Sequence, residues 1–280
     1  MGGKQGLQLS QTAQFRAEIN GCSAFSRFAV RGEIVKSALK ELLPLPIKCR
    51  LKRSLIDGPF FRKRTLSQAR QDLWVINEVF WYKKNGYFVE LGSADGLALN
   101  NTFLLEHRYG WKGICVEANP DSFEELRLNR TADCINACVD ANVGQVRFWK
   151  NGLLGGILSH DTDNAAPRGD PDDTILIDTI PLIDILRKCE APRIIDYLSV
   201  DLEGAETRAL KEFPFKDYRF LAMTIERPSQ ELDLVLKAND YIPVKMIPNL
   251  DVFYIHRCHV TEYANTLARF SGASGFCDET

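Results

Sequence analysis

The stretch "YFVELGSADG", residues 87–96, decides the fold. Tyr87, Phe88, Val89 and Leu91 are bulky apolar residues without strict alternation, the pattern of a strand buried on both faces. Glu90 interrupts that run. A carboxylate buried there costs several kcal/mol unless a cation or hydrogen-bond donor meets it. Glu90 is therefore expected to have such a partner and is a first pointer to a ligand. Gly92 and Gly96, four apart, then close the strand with a tight turn.

The regular pattern extends in both directions from this strand. Upstream, "SQARQDLWVINEVFWYKK" sets Leu73, Ile76, Val79, Phe80 and Trp81 at helical spacing, with Ser67 as the expected N-cap. Downstream, "NNTFLLEHRYG" reads as a short helix ending at Gly110, "WKGICVEANP" as a strand, and "DSFEELRLNR" as a helix led by Pro120 and Asp121. "DCINACVD" and "GQVRFWK" follow as strands, and residues 151–173, rich in Gly, Asp, Asn and Pro, as a long loop. Strand "TILIDTIP", helix "LIDILRKC", strand "IIDYLSVDLEGAE", strand "FLAMTIERP" and helix "SQELDLVLKAND" come next. The pair "YIPVKMI" and "DVFYIH", joined at Pro248 and Asn249, closes the domain. This order predicts a three-layer α/β fold with a mostly parallel sheet and an antiparallel last strand.

Composition bounds the rest. The 280 residues are 45% hydrophobic and 26% charged, ordinary for a soluble globular chain. Apolar runs fall short of the ~18–20 residues of a membrane span, and no secretory signal pattern opens the chain, so a cytoplasmic location is expected. Residues 1–65 carry 13 Lys/Arg against 4 Asp/Glu, a net +9, while the remainder carries 22 against 33, a net −11. Three segments are expected: a basic, partly disordered arm over 1–65 with one short helix near 33–43, a catalytic domain over 66–260, and a C-terminal tail over 261–280. The arm is read as a solvated face; contact with anionic lipid or nucleic acid, or organellar targeting, are the alternatives. "MGGKQG" has Gly6 where a myristoylation signal wants Ser or Thr. Eight cysteines form no C-x-x-C pair and four histidines reach no metal-ligand spacing, so neither a metal site nor a disulfide framework is expected. "DTDN" and "DPDD" lack EF-hand spacing.

In open parallel sheets ligands sit beyond the carboxyl ends of the strands. Those ends supply Glu90, Gly92, Ser93, Asp95 and Gly96, then Glu117 and Asn119, then Asp140, then Asp201 and Glu203, and finally Glu226 and Arg227. Ala94 stands where a dinucleotide motif needs its central glycine, and Glu90 and Asp95 would repel a pyrophosphate. A nucleoside bearing a cationic amino acid fits better. Glu117, 25 residues after Gly92, suits ribose hydroxyls, and Asp201 with Glu90 suits an α-ammonium. S-adenosylmethionine carries those groups. Asn101, at the polar start of the next helix, joins this cofactor set.

"SQARQD", "GYFVELGSADGLALNNTFLLEHRYGWKGICVEANP" and "IDYLSVDLEGAETRALKEFPF" resemble the FkbM-type methyltransferases, an S-adenosylmethionine-dependent branch of the class I fold, over roughly residues 67–256. The resemblance implies a seven-stranded sheet with a reversed last strand. It implies that "ELGSADG" is the loop on the cofactor's methionine side, that Glu117 is the ribose carboxylate, that Asp140 approaches the adenine, and that Asp201 lies beside the cofactor with Glu203 and Glu206 continuing the motif. Ser93 departs from the family's usual Ala or Asn, and the middle loop departs further. The family's acceptors are mostly hydroxyl groups on sugars, lipid-linked glycans or polyketide-type metabolites, so O-methylation is the expected chemistry and a hydroxylated small molecule or glycan the expected partner.

An alcohol acceptor needs a proton acceptor. His160 suits by type, because an imidazole can accept a proton at physiological pH, and Asp201 and Glu226 are its rivals. Arg227 is expected to pair with Glu226. A nicotinamide oxidoreductase and a noncatalytic binding protein of the same fold are the competing functions.

Overall fold

The computed structural model describes residues 44–57, 65–164 and 173–274. The N-terminal unit, residues 1–55, is described from Pro44, where helix α1 (Leu45–Asp57) starts. The helix expected near 33–43 and most of the basic arm lie outside the described residues.

Seven strands form the main sheet of the second unit: β1 (Tyr87–Leu91), β2 (Lys112–Glu117), β3 (Asp133–Asn136), β8 (Ile194–Val200), β9 (Arg219–Glu226), β10 (Tyr241–Met246) and β11 (Asp251–His256). Their order is β10-β11-β9-β8-β1-β2-β3. The pairings from β9 through β8 and β1 to β3 are parallel, and β11 runs antiparallel to both β9 and β10. The chain reverses between β1 and β8, which makes that crevice the topological switch point where ligands are expected.

Alternate residues of each central strand enter two cores. Val89, Leu91, Ile114, Val116, Leu198 and Val200 pack on one face, under α5 (Leu182–Lys188), α6 (Glu206–Leu210) and α7 (Gln230–Ala238). Phe88, Cys115 and Tyr197 pack on the other, against Trp74–Val79, Leu105 of α3 (Phe103–Tyr109) and Leu126 of α4 (Pro120–Asn129). This gives the three layers expected from sequence.

Three local features differ from expectation or extend it. The first helix is only α2 (Gln71–Leu73), continued by a π-helical turn over Trp74–Val79. Ser67 Oγ accepts from Asp72 N at 3.2 Å, yet the residue preceding the helix is Arg70, in the left-handed region at φ 60°. The wider turn lets Trp74, Val75, Ile76 and Val79 all enter the core, which a 3.6-residue period would not. Second, "DCINACVD" is two strands. After β3 the chain leaves the main sheet, and β4 (Cys138–Val139) joins a smaller one with β5 (Gly144–Trp149), β6 (Gly156–Ile157) and β7 (Thr174–Ile180) in the order β4-β7-β5-β6. The long loop thus contains a short strand, preceded by a 3-10 turn at Gly152–Leu154.

Third, the C-terminal segment, which the sequence leaves open between packing and trailing free, carries a helix: α8 spans Val260–Ser274. Tyr263 is buried in the core beside the π-helical turn, its ring 6.3 Å from that of Trp74. Tyr263→Ala is expected to lower unfolding stability by about 2–4 kcal/mol in urea titration; an unchanged midpoint would make this segment a tail after all.

Candidate active site

Glu90 ends β1 fully inside the protein, and the donors that meet it belong to the chain itself. Its carboxylate accepts from Asn100 Nδ2 (2.7 Å), Asn101 N (2.8 Å) and Thr102 Oγ1 (2.9 Å), and pairs with Arg130 Nη1 at 3.4 Å. Arg130 follows α4 and is equally buried; it also donates to Glu106 Oε2 (2.6 Å), Asn100 Oδ1 (2.9 Å) and Thr102 Oγ1 (2.8 Å). Arg130 is thus the cation that the sequence required for Glu90. With its oxygens already engaged, Glu90 organises the loop over 92–102 and is not an open receptor for an α-ammonium.

The turn after β1 is closed in the same way. Gly92 has φ 80°, and a Cβ there would fall 1.8 Å from the backbone oxygen of Asp201, so only glycine lets β1 and β8 end this close together. Gly92 N and Ser93 N both donate to Val116 O, Gly96 N to Ser93 O, and Ala94 N to Glu117 Oε2 at 2.8 Å. These backbone donors, which a pyrophosphate site would need, are therefore taken. Ser93 Oγ donates to Glu90 O. Asp95 accepts from Leu97 N and Ala98 N, which makes it a turn cap. A Cβ on Gly96 would press on Arg130 and Leu126.

A cavity of about 550 Å³ opens beyond these strand ends, lined by Glu90, Gly92, Ser93, Asn101, Glu117, Asp201, Glu203, Glu226 and Arg227 among others. Glu117 is buried, accepts from Ala94 N and from Asn119 N (2.7 Å), and burial pushes its pKa up to about 7. Ala118 N also bonds to it, which leaves part of its acceptor capacity for a further donor. Asn101 Nδ2 donates to Ser199 Oγ (2.9 Å), whereas its buried Oδ1 has no hydrogen-bond partner among the described residues. Asp201 lies close beside Glu226; burial first, and the Glu226 charge second, hold its pKa well above the usual carboxylate range. Burial likewise raises Glu203 to about 7, with Glu226 adding to the effect. Asp201, Glu203 and Glu226 each bring an oxygen within 4.8 Å of the others. Arg227 Nη2 meets two of them, Glu226 at 2.9 Å and Glu203 at 3.2 Å, and reaches Asp163 of the middle loop at 2.7 Å. The expected Glu226–Arg227 pair is present.

A narrower slot of about 50 Å³ adjoins this cavity, sharing Gly92, Glu117, Gly155 and Asp201 with it, and is walled by Ala137, Cys138, Val139, Phe148 and Ile157. Spacing gave no sign of these apolar residues; the alternation of β5 was their one trace.

Several expected site residues lie elsewhere. His160 is exposed on a turn and is not among the residues that line either space. Asp140 is paired with Arg208 through both oxygens (3.0 and 2.6 Å) and faces a separate cavity of about 630 Å³, because β4 belongs to the smaller sheet. Asn119 is the N-cap of α4, its Oδ1 accepting from Asp121 N at 3.0 Å. Glu206 accepts from Leu202 N and Gly204 N, and so shapes the turn after β8. Asp95 and Gly96 are absent from the lining as well.

Arg130→Met leaves Glu90 charged and buried without its cation, and should cost about 3–5 kcal/mol in urea unfolding. Adding Glu90→Gln should recover at least half; no recovery would mean that Arg130 acts through Glu106 and its other partners and not through Glu90.

The methyltransferase FkbM domain matches residues 90–243, more than half of the chain. Among curated proteins none matches this sequence. Similar solved structures include M. capricolum TrmK in complex with S-adenosyl-homocysteine (9% identity, 69% of this chain and 70% of that one, TM-score 0.37). They also include human methyltransferase 10 domain containing protein (12%, 74% and 92%, TM-score 0.40) and the N-terminal domain of human METTL16 in complex with S-adenosyl-homocysteine (12%, 75% and 81%, TM-score 0.40). Scores below 0.5 add nothing to the sheet order given above. Domain match, strand order and site together have one conclusion: the chain belongs to the FkbM family of S-adenosylmethionine-dependent methyltransferases.

Proposed function

We propose that the chain methylates a hydroxyl group on a sugar, glycan or small metabolite. One observation carries this reading: the ends of β1, β2, β8 and β9 gather an Asn101 oxygen without a hydrogen-bond partner among the described residues, a buried Glu117 and the closely set carboxylates of Asp201 and Glu226 around a single cavity. These groups suit S-adenosylmethionine. Glu117 would accept from the ribose hydroxyls, Asn101 Oδ1 and Asp201 from the α-ammonium, and the apolar slot beside Phe148 and Ile157 would take the adenine edge. When bound, the cofactor supplies an electrophilic methyl carbon on a sulfonium.

The chain's own contribution is placement and a proton acceptor. Glu226 lies at the end of β9 with the Asp201 carboxyl close beside it, and burial together with that neighbouring charge raises the pKa of Asp201, which favours the reading of this pair as the proton acceptor. The remaining lone pairs can take the proton of an acceptor hydroxyl as its oxygen bonds to the methyl carbon. Closure of the site around the two reactants contributes by orienting them and excluding water. The occupied backbone donors of the Gly92 turn weigh against a nicotinamide dinucleotide, and Arg227, tied to three carboxylates, keeps the base at a fixed place.

Titration calorimetry with S-adenosylhomocysteine, using NADH as the control, tests the cofactor assignment. Glu117→Ala should weaken binding by about 1–3 kcal/mol; unchanged affinity would overturn the ribose role. A protonated Glu117 accepts poorly, and its pKa is about 7. Affinity should therefore fall as pH drops from 8 to 6, and this slope should become shallower in Glu117→Gln, with Asp201 accounting for what remains. Glu226→Gln should lower kcat by about 10²–10⁴ with little change in S-adenosylhomocysteine affinity, measured with a labelled methyl donor.

A further inference from the structure

Three large apolar side chains stand in water around the cavity that holds Asp201 and Glu226. Leu99 is 48% exposed, Leu153 49% and Leu154 61%, and all three line that cavity. They come from two segments far apart in sequence, the loop between β1 and α3 and the 3-10 turn Gly152–Leu154. A single exposed leucine needs no explanation, but three converging on one mouth form a surface that water wets poorly. None belongs to a core cluster of the described residues. Leu99 also sits at φ 53°, a backbone region that disfavours a leucine, so local folding does not account for its presence.

The charges below this rim narrow the choice further. Glu117, Asp201, Glu203 and Glu226 face the cavity, and among the described residues the one cation in its lining is Arg227. Arg227 is already held by Glu226, Glu203 and Asp163. An anionic group entering here would meet carboxylates and would have to displace one of them to reach the guanidinium. Arg130, the other nearby cation, is buried beneath the floor in its own network.

We propose that the acceptor presents its hydroxyl on an apolar body free of anionic groups, clasped at the cavity mouth by Leu99, Leu153 and Leu154, and that phosphorylated or carboxylated acceptors are refused. This rests on the methyltransferase reading and names the substrate class for it. The three leucines are specificity residues; they take no part in the proton transfer.

Two dyes with the same apolar body separate the terms: neutral N-phenyl-1-naphthylamine and its anionic counterpart 8-anilinonaphthalene-1-sulfonate. Fluorescence titration of the full chain, with and without saturating S-adenosylhomocysteine, should show saturable binding of the neutral dye at least tenfold tighter than of the sulfonate. Leu153→Ser with Leu154→Ser should weaken the neutral dye at least tenfold, and Leu99→Ser should act in the same direction. Leu176→Ser, at an exposed leucine of β7 outside the cavity lining, should leave it unchanged. No binding of the neutral dye, equal binding of the two dyes, or binding indifferent to the rim variants would overturn the proposal. Calorimetry with S-adenosylhomocysteine on the same preparations keeps the readings apart: its failure refutes the cofactor site, whereas the dye series without nucleoside still decides the rim.

Discussion

The buried ion pair between Glu90 and Arg130 is the constraint on which the site depends. A carboxylate at the end of a central strand would otherwise repel the acids that gather there. With Arg130 Nη1 at 3.4 Å and three further donors around it, Glu90 becomes an anchor: Asn100, Asn101 and Thr102 are held to the end of β1, and Glu106 of α3 is tied to the residue that follows α4. Breaking such a pair from one side leaves an uncompensated charge, which is why both partners must be present together. Asn101 is a direct product of this anchoring, since Glu90 Oε1 holds its backbone N while its side chain spans to Ser199 on β8.

Around that anchor the functional groups divide by sheet. Residues at the ends of β1, β2, β8 and β9 converge because parallel strands in register stop at one edge. The Gly92 turn, pressed against the backbone of Asp201, sets how closely β1 and β8 approach there. Left-handed backbone at Glu203 (φ 51°) and Arg227 (φ 38°) turns the chain sharply after β8 and β9. Such conformations persist where the surroundings hold them in place, and here the Arg227 ion pairs do so.

Much of this was legible in the sequence, and the failures share a cause. Unbroken apolar runs and glycine stops mark strands and helix ends wherever local pattern and tertiary environment agree, which is how β1, β2, β8 and β9 and the acids at their ends came to light. Sequence also required a partner for Glu90, but nothing local could point to Arg130, 40 residues on. Asp140 was placed by its position at a strand end, and that logic breaks when the strand joins another sheet. Asn119 and Asp95 are types that cap helices and turns as readily as they bind ligands, and here they cap. His160 was chosen by chemistry without geometry. The π-helical turn escaped because Trp74–Val79 carries the apolar density of an ordinary helix, and its extra width is imposed by the core it fills.

The passage from β3 to β4 has a mechanical meaning. A single residue, Ala137, separates the last pairing in the main sheet from the first in the smaller one, and it lines the apolar slot together with Cys138, Val139, Phe148 and Ile157. The opposite wall carries Gly92, Glu117 and Asp201 from the main sheet. A molecule seated in the slot therefore touches both sheets at their covalent seam and acts as a rivet between them. Because binding to the folded form alone adds to its stability, the proposed seating of the adenine edge in this slot would link the cohesion of the smaller sheet to cofactor supply.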